Sequence, residues 1–254
     1  METKVDEIAD RIYRLSTLVP DIAPPAGFTF NQFLIDVEEP LLFHTGPRAM
    51  FPLVAEAVAT VVPVESLRWI TFGHVESDEC GSVNLWLAAA PHAQVAHDAL
   101  GCMVSLNDLC DRPPRPLTEG EIIDLGGKRV RHIATPHVPH NWEAQVLFEE
   151  TTGTLLCGDV LSQLGGHNVA VTTDDVVEPA LACEAMFRSS SMAPTTGEIL
   201  RRLGDLSPTT LAIMHGSSYR GDGAKALYDL AAAFEEQYLQ PQQRASGERA
   251  RGTR

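Results

Sequence analysis

Gly73-His74-Val75-Glu76-Ser77-Asp78-Glu79-Cys80-Gly81 follows directly on a short apolar run, Trp69-Ile70-Thr71-Phe72. The run reads as a buried strand, and the stretch after it as a loop leaving a rigid element. In an extended segment alternate side chains share a side, so His74, Glu76 and Asp78 can converge on one region. Imidazole and carboxylate together are metal-ligand chemistry. Alone, H-x-E-x-D is weakly specific: an acidic surface loop with a capping histidine carries the same letters.

Three other places put a ligand type where a strand ends. Thr135-Pro136-His137-Val138-Pro139-His140-Asn141-Trp142-Glu143 follows the strand pattern Val130–Ala134. Cys157-Gly158-Asp159 closes Thr154–Cys157, and Met214-His215-Gly216 closes Thr210–Met214. Ligands converge where strand ends meet at one rim of a sheet. Four such ends make a two-metal constellation a coherent reading.

Farther out, the pattern predicts strands at residues 11–17, 28–36, 41–45, 94–96, 121–125 and 145–148. Helical spacing marks 50–61, 82–89, 97–110, 179–187, 196–203 and 222–237, with a capping-box spacing at Thr195-Thr196-Gly197-Glu198. Arg112-Pro113-Pro114-Arg115-Pro116 reads as a rigid surface connection. Strands lead, helices are interspersed, and the order then recurs, which fits sheets covered by helices on their outer faces. Residues 1–239 form one domain on this reading, and the polar, basic tail 240–254 is expected to be disordered.

A formal net charge of −15 argues against a nucleic-acid or anionic-membrane partner and leaves carboxylates to spare for cations. No apolar run approaches the roughly 20 residues of a bilayer span. The acidic start, Met1-Glu2-Thr3-Lys4-Val5-Asp6, lacks the pattern of a signal peptide, so a cytoplasmic protein is expected. Five cysteines without C-x-x-C spacing point to small buried residues instead of disulfides or thiolate metal sites.

Taken together, these motifs resemble the metallo-β-lactamase superfamily, in which H-x-H-x-D-H, a later His, an Asp after Gly and a final His hold two metals. The chain is most similar to the flavodiiron branch and its shorter oxygen-binding di-iron relatives, where Glu replaces the second His, as His74-x-Glu76-x-Asp78 does here. The resemblance covers residues 10–238 and implies an α/β, four-layer αββα sandwich. It implies that His74, Glu76 and His140 hold one iron, that Asp78 and His215 hold the other, and that Asp159 bridges them. His140 is preferred to His137 because it stands nineteen residues before Asp159, as the family's ligand does; His137 remains the alternative.

Two departures matter. Hydrolases of the superfamily carry a metal-ligating His directly after the Asp, and here that residue is Glu79. Flavodiiron enzymes also carry a flavodoxin-like domain, and this chain ends where it would begin, with no phosphate loop for a flavin. The resemblance therefore implies a non-haem di-iron protein that binds or reduces a diatomic such as O₂. Its electrons would come from an external donor protein, and a homodimer is an open alternative. A hydrolase of a phosphoester, thioester or lactone shares the same ligands, with zinc or manganese as alternative metals. Glu79 and Glu143 are candidate partners of the ligand histidines, and His167 and Trp142 candidate pocket residues. His44, His92, His97 and His132 read as structural.

Overall fold

The computed structural model describes residues 1–165 and 169–251, with 239–251 as backbone only. His167 therefore lies outside the described residues. Strands β1 (Thr3–Ala9), β2 (Ile12–Val19), β3 (Phe28–Ile35), β4 (Leu41–Phe43), β5 (Trp69–Thr71), β6 (Gln94–Asp98) and β7 (Arg115–Leu117) form one sheet in chain order. The second sheet takes β8 (Ile122–Asp124), β9 (Arg129–Ala134), β10 (Gln145–Glu149), β11 (Thr154–Leu156), β12 (Val171–Thr172), β13 (Thr210–Ala212) and β14 (Ser218–Arg220). Its spatial order is β12-β14-β13-β11-β10-β9-β8.

The layering follows from side-chain alternation along the strands. In the first sheet Phe33, Ile35, Leu41, Phe43 and Ala96 point inward, and Val130, Leu147, Leu156 and Ala212 of the second sheet meet them in one cluster. Their neighbours Leu34, Leu42, Ile70 and Val95 face outward. There they pack with helices α1 (Phe51–Ala59) and α3 (Val83–Ala89). On the far side Ile133, Val146, Leu155 and Leu211 pack with helices α6 (Val177–Phe187), α7 (Thr196–Gly204) and α8 (Gly223–Arg251). The result is the expected four-layer αββα sandwich.

Short elements complete the first half: α2 (Ser77–Cys80), α4 (Ala99–Gly101) and α5 (Asn107–Leu109), the last two joined by a π-helical turn, Cys102–Leu106. Here several expectations change. The helix predicted from His97 starts at Ala99, because His97 and Asp98 belong to β6 and the Asp98 carboxylate accepts the Leu100 N–H at 2.8 Å. The supposed connection at 112–116 contains β7, an edge strand where Pro116 is tolerated. The capping box at Thr195 does not form: its backbone is already helical and its side chain caps nothing. β1, β12 and β14 were not expected, and α8 runs past the point near Gln237 where the amphipathic pattern fades.

Two bonds stitch the sheets together at one rim. The Asn31 N–H donates to Met214 O (3.0 Å), and the Gln145 N–H donates to Gly73 O (2.8 Å). Asn31 Nδ2 adds bonds to Ile213 O and Gly216 O, both 2.9 Å. Among the described residues no helix is long and apolar enough to cross a membrane.

Phe33, fully buried between the sheets, sets a first prediction. Phe33→Ala should lower the unfolding free energy by about 3–5 kcal/mol, seen as a fall in the urea midpoint at unchanged slope. An unshifted midpoint would show that the inter-sheet layer is not the core.

Candidate metal centre

The stitched rim is where four loops meet. The loop after β5 brings His74, Glu76 and Asp78; that after β9 brings His140; β11 leads to Asp159 and β13 to His215. Strand ends of both sheets contribute, so the site spans the sandwich instead of one sheet.

His74 Nε2 lies 2.8 Å and His140 Nε2 2.9 Å from the same oxygen, Glu76 Oε2. Both nitrogens are 3.9 Å from Asp159 Oδ2. His74, Glu76, His140 and Asp159 can each offer one ligand atom, all within 4.8 Å of one another. On the other side of Asp159, His215 Nε2 lies 3.0 Å from Oδ1 and 3.4 Å from Asp78 Oδ2. Asp159 thus stands between two groups, one of His74, Glu76 and His140 and one of Asp78 and His215. His137 is exposed and outside both groups; its N–H is spent on Asn141 O.

The first group could hold a metal ion, and the electrostatics of both groups suit positive charge. The His215 Nδ1–H donates to Thr29 O at 2.7 Å, so Nε2 faces two carboxylates with either a second proton or a bare lone pair. Without metal the second proton is held: burial alone would lower His215, but Asp159 and Asp78 outweigh it and push it up to about 10. His74 is raised well above its ordinary range in the same way, burial opposing and Glu79 and Glu76 prevailing. Hydrogen bonds from His140 and His74 bring Glu76 down to about 2. The buried Asp78 Oδ1 lacks a hydrogen-bond partner, which is what a carboxylate arranged for a cation looks like.

Glu79 does not face this centre. Its carboxylate is fully buried behind His74, taking the His74 N–H at Oε2 (2.6 Å) and standing 3.2 Å from His74 Nδ1 through Oε1. His44 Nε2 is 3.5 Å from the same Oε1. Burial alone would raise Glu79, yet His74 and His44 hold it below the ordinary value, so it is ionised. A carboxylate at the outer nitrogen fixes ring orientation and raises the basicity of the inner one. Gly73 makes room for it: a Cβ there would lie 3.0 Å from both Glu79 oxygens.

Two neighbours of His215 were illegible in sequence. Phe28 stacks on the His215 ring at 4.1 Å and Phe30 meets it edge-on at 5.3 Å; their place in an ordinary strand pattern gave no sign of this. Glu143 braces the Val75 N–H (3.0 Å) and touches no ligand histidine. Trp142 is 57% exposed, so it neither packs in the core nor walls a closed pocket, and Phe72 is core. His97 lies fully buried against Phe72.

Fold and site together define a metallo-β-lactamase-like protein whose candidate centre is rich in carboxylate. The chain belongs to the ODP family of β-lactamase-like proteins, whose sequence profile, described as "ODP family beta lactamase", matches residues 28–216. A Nostoc sp. PCC 7120 protein bearing the name diflavin flavoprotein A 1 is 28% identical over 200 residues, covering 75% of this chain and 33% of that protein. Rubredoxin-oxygen oxidoreductase of Megalodesulfovibrio gigas is 23% identical over 210 residues, covering 78% and 50%. The chain thus spans a third to a half of these relatives. Its fold superposes on a flavo di-iron protein of Thermotoga maritima with a TM-score of 0.78, at 19% identity, over 91% of this chain and 62% of that one.

Two expectations follow from this geometry. His74 and His215 hold extra protons in the metal-free protein, so loading at neutral pH should release roughly one to two protons, measurable by calorimetry in buffers of different ionisation enthalpy. The sign is fixed by linkage: the raised His215 stabilises the metal-free fold fully below its ordinary 6.5 and loses that contribution as pH rises through about 10. Metal affinity should therefore rise with pH across that window; pH-independent affinity would remove the ion pairs from the site. Separately, Glu79→Ala should weaken metal retention against a chelator roughly 10–100-fold, with Glu79→Gln recovering part of the loss. Unchanged retention in both would reduce Glu79 to packing.

Proposed function

We propose that the chain is a non-haem di-iron module that binds or reduces a diatomic such as O₂, drawing electrons from a donor protein or a flavin-bearing partner. Glu76 is the observation that carries this reading. It stands where superfamily hydrolases carry a histidine, and it is shared by His74 and His140 at 2.8 and 2.9 Å. Carboxylate for imidazole hardens a site toward iron or manganese over zinc. His74, Glu76 and His140 would hold one ion and Asp78 and His215 the other, with Asp159 between; bound iron would supply the one-electron chemistry that side chains lack. The names of the M. gigas and T. maritima relatives, an oxygen oxidoreductase and a flavo di-iron protein, support the same reading.

The second reading is a metal-dependent hydrolase. It is favoured by 34% identity over 154 residues to hydroxyacylglutathione hydrolase of Acidiphilium cryptum, covering 55% of this chain and 56% of that protein. Against it stands Glu79, buried behind His74 where the hydrolases' extra ligand would be needed in front.

Anaerobic purification from cells replete in iron and zinc separates the two. The di-iron reading expects about two irons per chain and a new absorption band when the reduced protein meets O₂. Two zincs with ester turnover that persists without oxygen or reductant would move the assignment to a hydrolase. Asp159→Ala should leave at most one tightly held ion; a variant retaining both would refute the bridging role.

A further inference from the structure

Under the loops that carry His140 and Asp159, and against helices α6–α8, lies a half-open pocket whose inner space is about 30 Å³, and Asp159 forms part of its wall. By that measure roughly 10–15 Å³ holds one water, so the space matches a diatomic molecule. Its apolar wall is Val138, Leu161, Ala180, Leu200, Leu230 and Phe234. Val138 lies two residues before His140 and Leu161 two after Asp159, so the wall is continuous with the ligand loops.

Most hydroxyls and the one glutamate on the wall are already engaged. Glu184 Oε2 accepts from the Ser190 N–H (3.1 Å), the Ser190 hydroxyl (2.8 Å) and the Ser189 hydroxyl (3.4 Å). The Ser162 hydroxyl donates to Asp159 O at 2.8 Å. Burial, with Asp159 nearby, pushes the Cys183 thiol up to about 12, so it stays neutral. Both Asp159 oxygens point at imidazoles: Oδ1 at His215, Oδ2 at His74 and His140. A water held well at the inner, apolar end needs two to four polar partners, and the residues there, Ala180, Leu200, Leu230 and Phe234, offer no polar side chain. An apolar gas forfeits nothing there and gains dispersion contacts.

We infer that this cavity is a holding site for an apolar diatomic gas that feeds the face of the centre formed by Asp159. The inference rests on the proposed oxygen chemistry for its role, but not for its existence, and the two can be tested apart.

Xenon is the probe for the cavity, applied under pressure to metal-free protein in crystals or followed by ¹²⁹Xe chemical shift. Wild-type protein should bind one xenon against Ala180, and Ala180→Leu should abolish it. Phe234→Leu, which enlarges the space, should strengthen binding, and it serves as the test if the leucine variant does not fold. In the iron-loaded, reduced protein, Ala180→Leu should slow O₂ association roughly tenfold while leaving metal content unchanged. No xenon in the wild type would overturn the holding site. Xenon bound but O₂ association unaltered in Ala180→Leu would overturn the feeding role. Reduced wild-type protein inert to O₂ would overturn that role together with the proposed function, whatever xenon does.

Discussion

Four carboxylates, Glu76, Asp78, Glu79 and Asp159, are gathered around three histidines at one rim of the sandwich, and their mutual repulsion is the constraint that the surrounding structure answers. Two like charges 4 Å apart interact by about 4 kcal/mol at the effective dielectric of a protein site. Glu79 and Asp159 are both held in ionised form despite burial, so positive charge has to be supplied on the spot. In the metal-free protein, protons on His74 and His215 supply it. Two cations would do so with ligand geometry already in place, which is why the arrangement reads as built for them.

Meeting that constraint requires both sheets. A carboxylate such as Asp159 cannot reach His215 and His74 at once unless the ends of β5, β11 and β13 are held in register across the inter-sheet layer. The Asn31 side chain and the backbone bonds from Asn31 and Gln145 do that holding, and they lie directly beneath the ligands. Phe28 and Phe30 then close the ring of His215 on two sides, while Thr29 O fixes its tautomer. Three consecutive residues of one strand therefore set the position, the protonation pattern and the polarity around one histidine.

Much of this was readable in the chain because ligands at strand ends leave a local signature: an apolar run, then His, Glu or Asp within a few residues. His74, Glu76, Asp78, Asp159 and His215 all sit in that context, and the alternating strands predicted the layered core. Outside that signature the reading fared unevenly, for physical reasons. His137 and His140 share one loop; the spacing to Asp159 favoured His140, and the backbone, which spends the His137 N–H on Asn141, turns His140 toward Glu76. Glu79 read as a partner of a ligand histidine, and the short helix after Glu76 does swing it behind His74, whereas Glu143, read the same way, bonds to the Val75 N–H. β7 hides in a proline-rich stretch because an edge strand needs only half its hydrogen bonds. Thr195 has the letters of a capping box, yet its backbone is helical, and letters alone cannot encode that.

The position of Glu79 also bears on what the centre can bind. On the proposed ligand set, three carboxylates and three neutral imidazoles surround two divalent ions, leaving one excess positive charge, and Glu79 at His74 Nδ1 cancels it. A superfamily hydrolase with histidine at both positions keeps only two ligand carboxylates and a net charge of two. That excess draws in anionic substrates and acidifies bound water. A centre close to neutrality has no such pull on an anion and pays no electrostatic penalty for an uncharged guest. Beside it, the space behind Asp159 is small, largely apolar and short of free hydrogen-bonding groups. Charge balance and pocket chemistry, argued from different residues, thus bear on the proposed function in the same direction: both disfavour an anion such as a phosphate.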